Sequence, residues 1–278
     1  LVNFANQHLI NPKIMTMKRN KGLWLALVAI CVGIVASCSG KKADNGVLVE
    51  QAARINTELT ALADGSEMFI ESASAAFADG TLTVDIAFAD SIINMDMCTD
   101  ALVQFALSQY LKAHTGADLD ATLNTLGKEK GIMSLHLTDV YGNTKIVDLP
   151  SATVKRLAVA KMSELPVAEV RSNVVDIMAQ RCPQYAAAVN ATGCTFDYAA
   201  SFAQYTLTFR NAHAFANQTT GSLTGRYQTA LRAVYDNYGA CAPMVSDMLQ
   251  ALQIDGYRFI YSADGKELKC ALPWRMII

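Results

Sequence analysis

The sequence predicts an α+β fold built from two tandem copies of one plan: helix, β-hairpin, two helices, β-hairpin, forming antiparallel sheet(s) with helices packed on one face. Three observations lead there. Residues 77–84 (FADGTLTV) and 202–209 (FAQYTLTF) share five of eight positions at an offset of 125, and self-similarity at a fixed spacing marks a repeated unit. The offset also pairs Thr99 with Thr224, Tyr110 with Tyr235 and Gly131 with Gly256, and it shortens to 123 where Pro150 meets Pro273. Within each copy, apolar residues at helical spacing and runs of strict alternation follow one another in the same order.

In the first copy Leu48, Ala52, Ile55, Leu59 and Leu62 recur at helical spacing and predict an amphipathic helix. A hairpin follows, residues 68–78 and 81–89, turning at Asp79-Gly80. Leu82, Val84, Ile86 and Phe88 alternate with Thr81, Thr83, Asp85 and Ala87, which gives the strand one buried and one wet face. Leu102, Phe105, Ala106 and Ala113 line a helix ending near Gly116. Leu119, Leu123 and Leu126 line the next, with Asp118 as its N-cap candidate. Residues 132–140 and 144–149 close the copy as a hairpin turning through Tyr141-Gly142-Asn143, and Pro150 stops the last strand.

The second copy repeats the order. A helix over 166–181 cannot extend through Pro183. Strands are expected at 194–203 and 205–211, then helices at 222–238, with Ser222 as N-cap, and 243–252. The last hairpin turns at Ala263-Asp264-Gly265, where Asp-Gly suits the positive φ angles of a tight turn. Residues 151–165 read as a firm, largely helical connector, so the expected units are 47–150 and 166–278.

The N-terminal region has a different character. The apolar run 23–37 is 15 residues long and follows Lys18, Arg19 and Lys21; a bilayer span needs roughly 20, so the run fits an export signal. Val35-Ala36-Ser37-Cys38 resembles the lipobox of bacterial lipoproteins: an aliphatic residue, two small ones, then cysteine. The resemblance implies cleavage between Ser37 and Cys38, lipidation of the Cys38 thiol, and a membrane partner reached through that anchor. Residues 1–16 are then an upstream extension, 17–37 the signal peptide and 38–46 a tether. Ser39 in place of Asp, followed by Lys41-Lys42, implies the periplasmic face of an outer membrane.

Removal of residues 1–37 changes the charge balance. Lys13, Lys18, Arg19 and Lys21 precede Cys38 and no acid does, so the remaining 19 basic and 25 acidic residues carry −6. That balance argues against nucleic acid as a partner. Beyond Cys31 and Cys38, five cysteines remain: Cys98, Cys182, Cys194, Cys241 and Cys270. Cys182 and Cys194 could bridge across Pro183 and Gly193, but spacing alone does not fix the connectivity.

No spacing prescribes a reaction. His114, His136 and His213 are far apart and no HExxH or CxxC occurs, so neither metal nor cofactor is expected. Met95-Asp96-Met97-Cys98 gathers soft ligands but reads as a loop, and Asp118, Asp120 and Asn124 lack the glycine and closing glutamate of a calcium loop. No nucleophile elbow is present, so no catalytic residue is assigned. The candidate binding face is the wet side of the strands: Thr83, Asp85 and His136, with Thr208, Arg210 and Tyr261 as their counterparts at offset 125. Tyr227, Leu231, Val234 and Tyr238 form a helical stripe that reads as core, the alternative being a carbohydrate platform shared with Trp274.

These features predict a lipid-anchored, non-catalytic binding module whose partner is another envelope protein or a small ligand. Alternatives are a hydrolase or Cys-dependent enzyme, and an inhibitor or assembly partner of another envelope protein. A histidine set against a cysteine or carboxylate in a cleft would favour the enzyme.

Overall fold

The computed structural model describes residues 45–66, 68–113 and 117–278. The signal segment, Ser37, Cys38, most of the tether and His114 lie outside the described residues, as do the side chains of Asp118 and Asp120. Two compact units are present. One runs to Asn173 and takes in Asn237–Met244; the other comprises Val174–Asp236 and Val245–Ile278.

The first unit contains α1 (Asn45–Gly65), β1 (Ile70–Ala78), β2 (Thr81–Phe88), α2 (Asp100–Ala113), α3 (Ala117–Lys128), β3 (Ile132–Thr138), β4 (Thr144–Pro150) and α4 (Ser151–Val159). Its strands form one sheet in the order β1-β2-β3-β4. Both hairpins are antiparallel, as alternation and tight turns predict, but the central pair β2–β3 is parallel. That departure from an all-antiparallel sheet follows from the chain path: the helices α2 and α3 between the strands supply the long crossover that parallel neighbours require.

The parallel register places Leu82 beside Met133, Val84 beside Leu135 and Ile86 beside Leu137, so the apolar residues of both hairpins meet on one face. Helix α1 lies on β1, and the five residues predicted from its spacing are all at most 3% exposed. The expected connector is α4, which packs on α2 and α3. Val154 and Leu157 are buried there, and Ser108 Oγ donates to the Leu157 carbonyl at 2.8 Å. Where β3 begins, Ile132 N donates to Gly80 O across the parallel seam, and a Cβ at Gly131 would stand 2.6 Å from that oxygen. Only glycine tolerates this approach.

Asp139 organises the β3–β4 turn. One carboxylate oxygen accepts from Met95 N at 2.8 Å and Asn143 Nδ2 at 3.0 Å; the other accepts from Tyr141 N at 2.9 Å and Asn143 N at 3.0 Å. Burial alone would raise its pKa, but these four bonds outweigh burial and hold the carboxyl below its usual value. The loop containing Met95 is thereby fixed to the hairpin, and Met95 itself is buried.

The second unit contains the C-terminal part of α5 (Val167–Ala179), then α6 (Cys182–Val189), β5 (Gly193–Ala199), β6 (Phe202–Thr208), most of α7 (Thr220–Asn237), part of α8 (Cys241–Ala251), β7 (Gly256–Ala263) and β8 (Lys266–Pro273). Its sheet has the same order and the same parallel central pair. The ladders set the correspondence between copies: Leu82 to Ala203 at offset 121, Met133 to Tyr257 at 124 and Leu149 to Leu272 at 123. The 125 match aligned a turn, FADG, with a strand, FAQY. It misplaced the second hairpin, whose turn is Ala200-Ser201 rather than near Gln204. A slip of four residues keeps every side chain on its own face, so alternation could not expose the error.

Two helix details also differ from expectation. Pro183 ends one helix and sits in the first turn of another, α6, where its missing N–H is harmless. Thr219, not Ser222, caps α7: Thr219 Oγ1 accepts from Ser222 N at 3.1 Å and Ser222 Oγ accepts from Thr219 N at 2.9 Å. The pair forms the reciprocal arrangement of a capping box.

The second core is aromatic where the first is aliphatic. Val84 and Leu135 become Tyr205 and Phe259, each at most 1% exposed. Tyr227 of α7 stacks on Phe259 with ring centroids 3.6 Å apart, and Phe196 and Tyr185 each meet Tyr205 edge-on at 4.6 Å. The buried hydroxyls find partners: Tyr205 donates to Met178 O at 3.0 Å, and Tyr235 meets Tyr257 at 3.1 Å. The buried stripe of α7 in this unit is Leu223, Tyr227, Leu231 and Tyr235. Tyr227 and Trp274 are 3% and 6% exposed, so neither offers a platform for a sugar.

Two predictions follow from these local structures. The Ala200-Ser201 turn has φ of 46° and 61°, left-handed values that disfavour alanine; Ala200→Asn should stabilise the protein by roughly 0.5–1 kcal/mol in urea denaturation. Asp139→Ala should destabilise it by about 1–3 kcal/mol, since it strands buried donors. Because the folded pKa is depressed, the Asp139 contribution is complete above the unfolded value of about 4 and fades as pH falls through the folded one. The stability gap between wild type and Asp139→Ala should therefore narrow on acidification below pH 4.

Candidate functional site

The parallel seam positions the most developed polar cluster among the described residues. The β2–β3 register sets Asp85 beside His136, and the β3–β4 register sets Ser134 beside Asp148. Ser134 and His136 are two apart on one strand, hence on one face, opposite the helix-covered Met133, Leu135 and Leu137. His136 Nδ1 lies 3.0 Å from Asp85 Oδ1, its Nε2 lies 3.0 Å from Ser134 Oγ, and Ser134 Oγ donates to Asp148 Oδ1 at 2.5 Å.

The distances match a serine–histidine–aspartate relay, but the proton count runs the other way. Asp148 as a carboxylate can only accept, and a hydroxyl has one proton, so the Ser134 proton is committed to Asp148. The two ring nitrogens of His136 face Ser134 Oγ and Asp85 Oδ1, and which of them carries the proton depends on the tautomer. A general base must accept the nucleophile's proton; here that proton is directed to Asp148 rather than to the imidazole. β3 is a central strand whose backbone is paired on both sides, so its N–H groups are not free to serve as an oxyanion hole. The cluster also sits on an exposed face: the side chains of His136 and Asp85 are 32% and 53% exposed.

Of the six residues expected on the binding face, the structure brings three together. Thr83 flanks Ser134 on the same face as Asp85 and His136. Thr208 ends β6 and Arg210 lies beyond it, both exposed. Tyr261 is corrected outright: it is 2% exposed, on the core side of β7, where its hydroxyl accepts from Arg226 Nη2 at 2.6 Å. The reason is parity. The true offset from β3 to β7 is 124, so pairing His136 with Tyr261 at 125 crosses the sheet; the counterpart of His136 is Ile260. The counterparts of Thr83 and Asp85 are Gln204 and Thr206, not Thr208 and Arg210.

Sequence reasoning missed Ser134 and Asp148. The alternation in KIVDLP signalled that Asp148 faces solvent, but only the register places it against Ser134. Nothing comparable stands on the open face of the second sheet. There Arg258 donates to Gln204 Oε1 at 3.3 Å and lies 4.8 Å over the ring of Phe202.

Other candidate features are simpler. His213 is exposed in a short 3-10 turn (Ala212–Phe215), and no ring partner is found for it among the described residues. A cavity of about 250 Å³ in the first unit is lined by Gln104, Phe105, Arg156, Leu157, Glu164 and Leu165, away from the His136 cluster. Among the described residues no group of three or more His, Cys, Asp or Glu side chains is placed to hold a metal ion, and no helix is long and apolar enough to cross a membrane.

No protein-family model, curated protein or solved structure matches this chain.

Proposed function

We propose that this protein is a lipid-anchored bacterial envelope lipoprotein that binds a partner without transforming it, and that the wet face of its first sheet is the recognition surface. The observation that carries the binding site is the Asp85–His136–Ser134–Asp148 network. It holds two carboxyl groups, an imidazole and a hydroxyl in fixed positions on a paired sheet, with Thr83 beside them. Such a surface presents both donors and acceptors to a polar partner, a small ligand or another envelope protein. The anchor reading rests on the Lys18–Lys21 charges, the 15-residue apolar run and the Val35-Ala36-Ser37-Cys38 motif, which fit export and lipidation better than a membrane span.

A hydrolase is the competing reading, since His136 does have a carboxylate and a serine against it. The proton arrangement and the open face weigh against it. A nucleophilic serine requires a base able to take its proton, and hydrolysis profits from a site that excludes water.

Two experiments test these readings. A serine-directed fluorophosphonate should leave Ser134 unlabelled in peptide mapping of the folded protein; labelling at Ser134 that disappears in His136→Ala would replace the binding reading with the hydrolase. Metabolic fatty-acid labelling should mark the wild type and be lost in Cys38→Ser, with uncleaved precursor accumulating. Retained label in that variant would overturn the anchor.

A further inference from the structure

We propose that the cavity between α2 and α4 in the first unit is a binding site for a free α-amino acid with an apolar side chain. It is a second site, separate from the wet-face network. Three segments build it. Gln104 and Phe105 come from α2, Arg156 and Leu157 from α4, and Glu164 and Leu165 from the loop beyond α4; they line a volume of about 250 Å³. One turn along α2 from Gln104, Ser108 Oγ donates to the Leu157 carbonyl at 2.8 Å and fixes the two helices to each other. The loop is held too. Lys161 N donates to Glu164 Oε2 at 2.9 Å, Leu165 N donates to Met162 O at 3.3 Å, and Gln109 Nε2 of α2 donates to Met162 Sδ at 3.6 Å. Walls held in this way need little further ordering when a ligand enters.

The lining divides by chemistry. Phe105, Leu157 and Leu165 are buried and form an apolar floor. Gln104 is half-buried, and Arg156 and Glu164 are exposed, so the polar groups stand at the mouth. The bond from Lys161 N fixes one carboxylate oxygen of Glu164 and leaves the other to face a ligand. Among the described residues no hydrogen bond or ion pair engages Gln104 or Arg156. An apolar lining with a few convergent polar groups is the usual composition of a small-molecule site.

The charges at the mouth select the ligand. A simple anion is repelled by Glu164 and a simple cation by Arg156. A zwitterion suits both. Its carboxylate pairs with the planar fork of the Arg156 guanidinium, with the Gln104 amide as a further donor. Its ammonium group donates to Glu164, and its side chain covers Phe105, Leu157 and Leu165. Size narrows the choice further. Sites for drug-sized ligands measure about 300–1,000 Å³, and this cavity is smaller, which suits one amino acid with a side chain like that of leucine or phenylalanine rather than a peptide.

The test titrates the folded full chain with L-leucine and L-phenylalanine, by calorimetry and by saturation-transfer NMR, up to about 10 mM, the weak end of the range for ligands of this size. Saturable binding is expected. N-acetyl-L-leucine lacks the ammonium charge and L-leucinamide lacks the carboxylate, so each should bind about tenfold or more weakly than L-leucine. Arg156→Gln and Glu164→Gln should each weaken L-leucine by a similar factor and leave the Tm of the unliganded protein unchanged. Arg156 is exposed, and the amide oxygen in Glu164→Gln still accepts from Lys161 N. No saturable binding up to that concentration, undiminished affinity for either blocked analogue, or undiminished affinity in either variant would overturn the site. Binding lost in Asp148→Asn but kept in Arg156→Gln would also overturn it, and would move the amino acid to the wet face of the sheet.

Discussion

Everything else in the two sheets depends on one constraint, the parallel pairing of the inner strands, β2 with β3 and β6 with β7. Two hairpins could form from local sequence alone, yet each would expose an apolar face. Parallel pairing aligns those faces into one continuous floor, and it can do so only if a long connection returns the chain to the starting edge. The helices between the hairpins are that connection and also its roof. The Gly131–Gly80 approach lies at the start of this seam in the first sheet, and the Asp85–His136 pair straddles its open side.

On that shared frame the copies solve the packing problem differently. The first fills its interior with Leu, Val, Ile and Met, side chains that need no partner. The second uses stacked rings, which bury more area per residue but bring hydroxyls that must be matched. Hence the interior bonds of Tyr205, Tyr235, Tyr257 and Tyr261, and the guanidinium of Arg226 among them. The polar faces diverged as well. A network of two acids, a histidine and a serine stands in one copy, and at the corresponding places in the other stand threonine, alanine, isoleucine and arginine.

The fold was largely legible in the sequence because periodicity reports local geometry directly. The α1 stripe, the Asp79-Gly80 and Asp264-Gly265 turns, the stop at Pro150 and Pro273 and the helical connector all follow from rules acting over a few residues. Pairing between distant strands obeys no such rule. Parallel or antiparallel, offset 121 or 125, and the neighbour of Ser134 are all decided by tertiary packing. Thus Asp85 was read as a wet-face residue from its own strand's alternation, and the register sets it beside His136 on the open face. Tyr261 failed because its assignment borrowed an offset in error by one, and an odd error changes face. The Thr219 cap was hidden for a smaller reason: either Thr219 or Ser222 could begin the helix until the first bonded turn was known.

Each sheet is therefore two local ribbons joined by a single long-range seam. A two-residue turn closes a ribbon within a few residues, whereas Thr81 and Ile132 must find one another across two helices. Closing that span costs more entropy than closing a two-residue turn and must precede the contacts that reward it, so the ribbons form readily and the seam is the committing step. Cooperativity in each copy then resides in the contact between β2 and β3, or β6 and β7. A lesion at the seam, even one as small as a methyl group at Gly131, acts on the whole sheet, while an equal lesion at an outer edge acts on one ribbon.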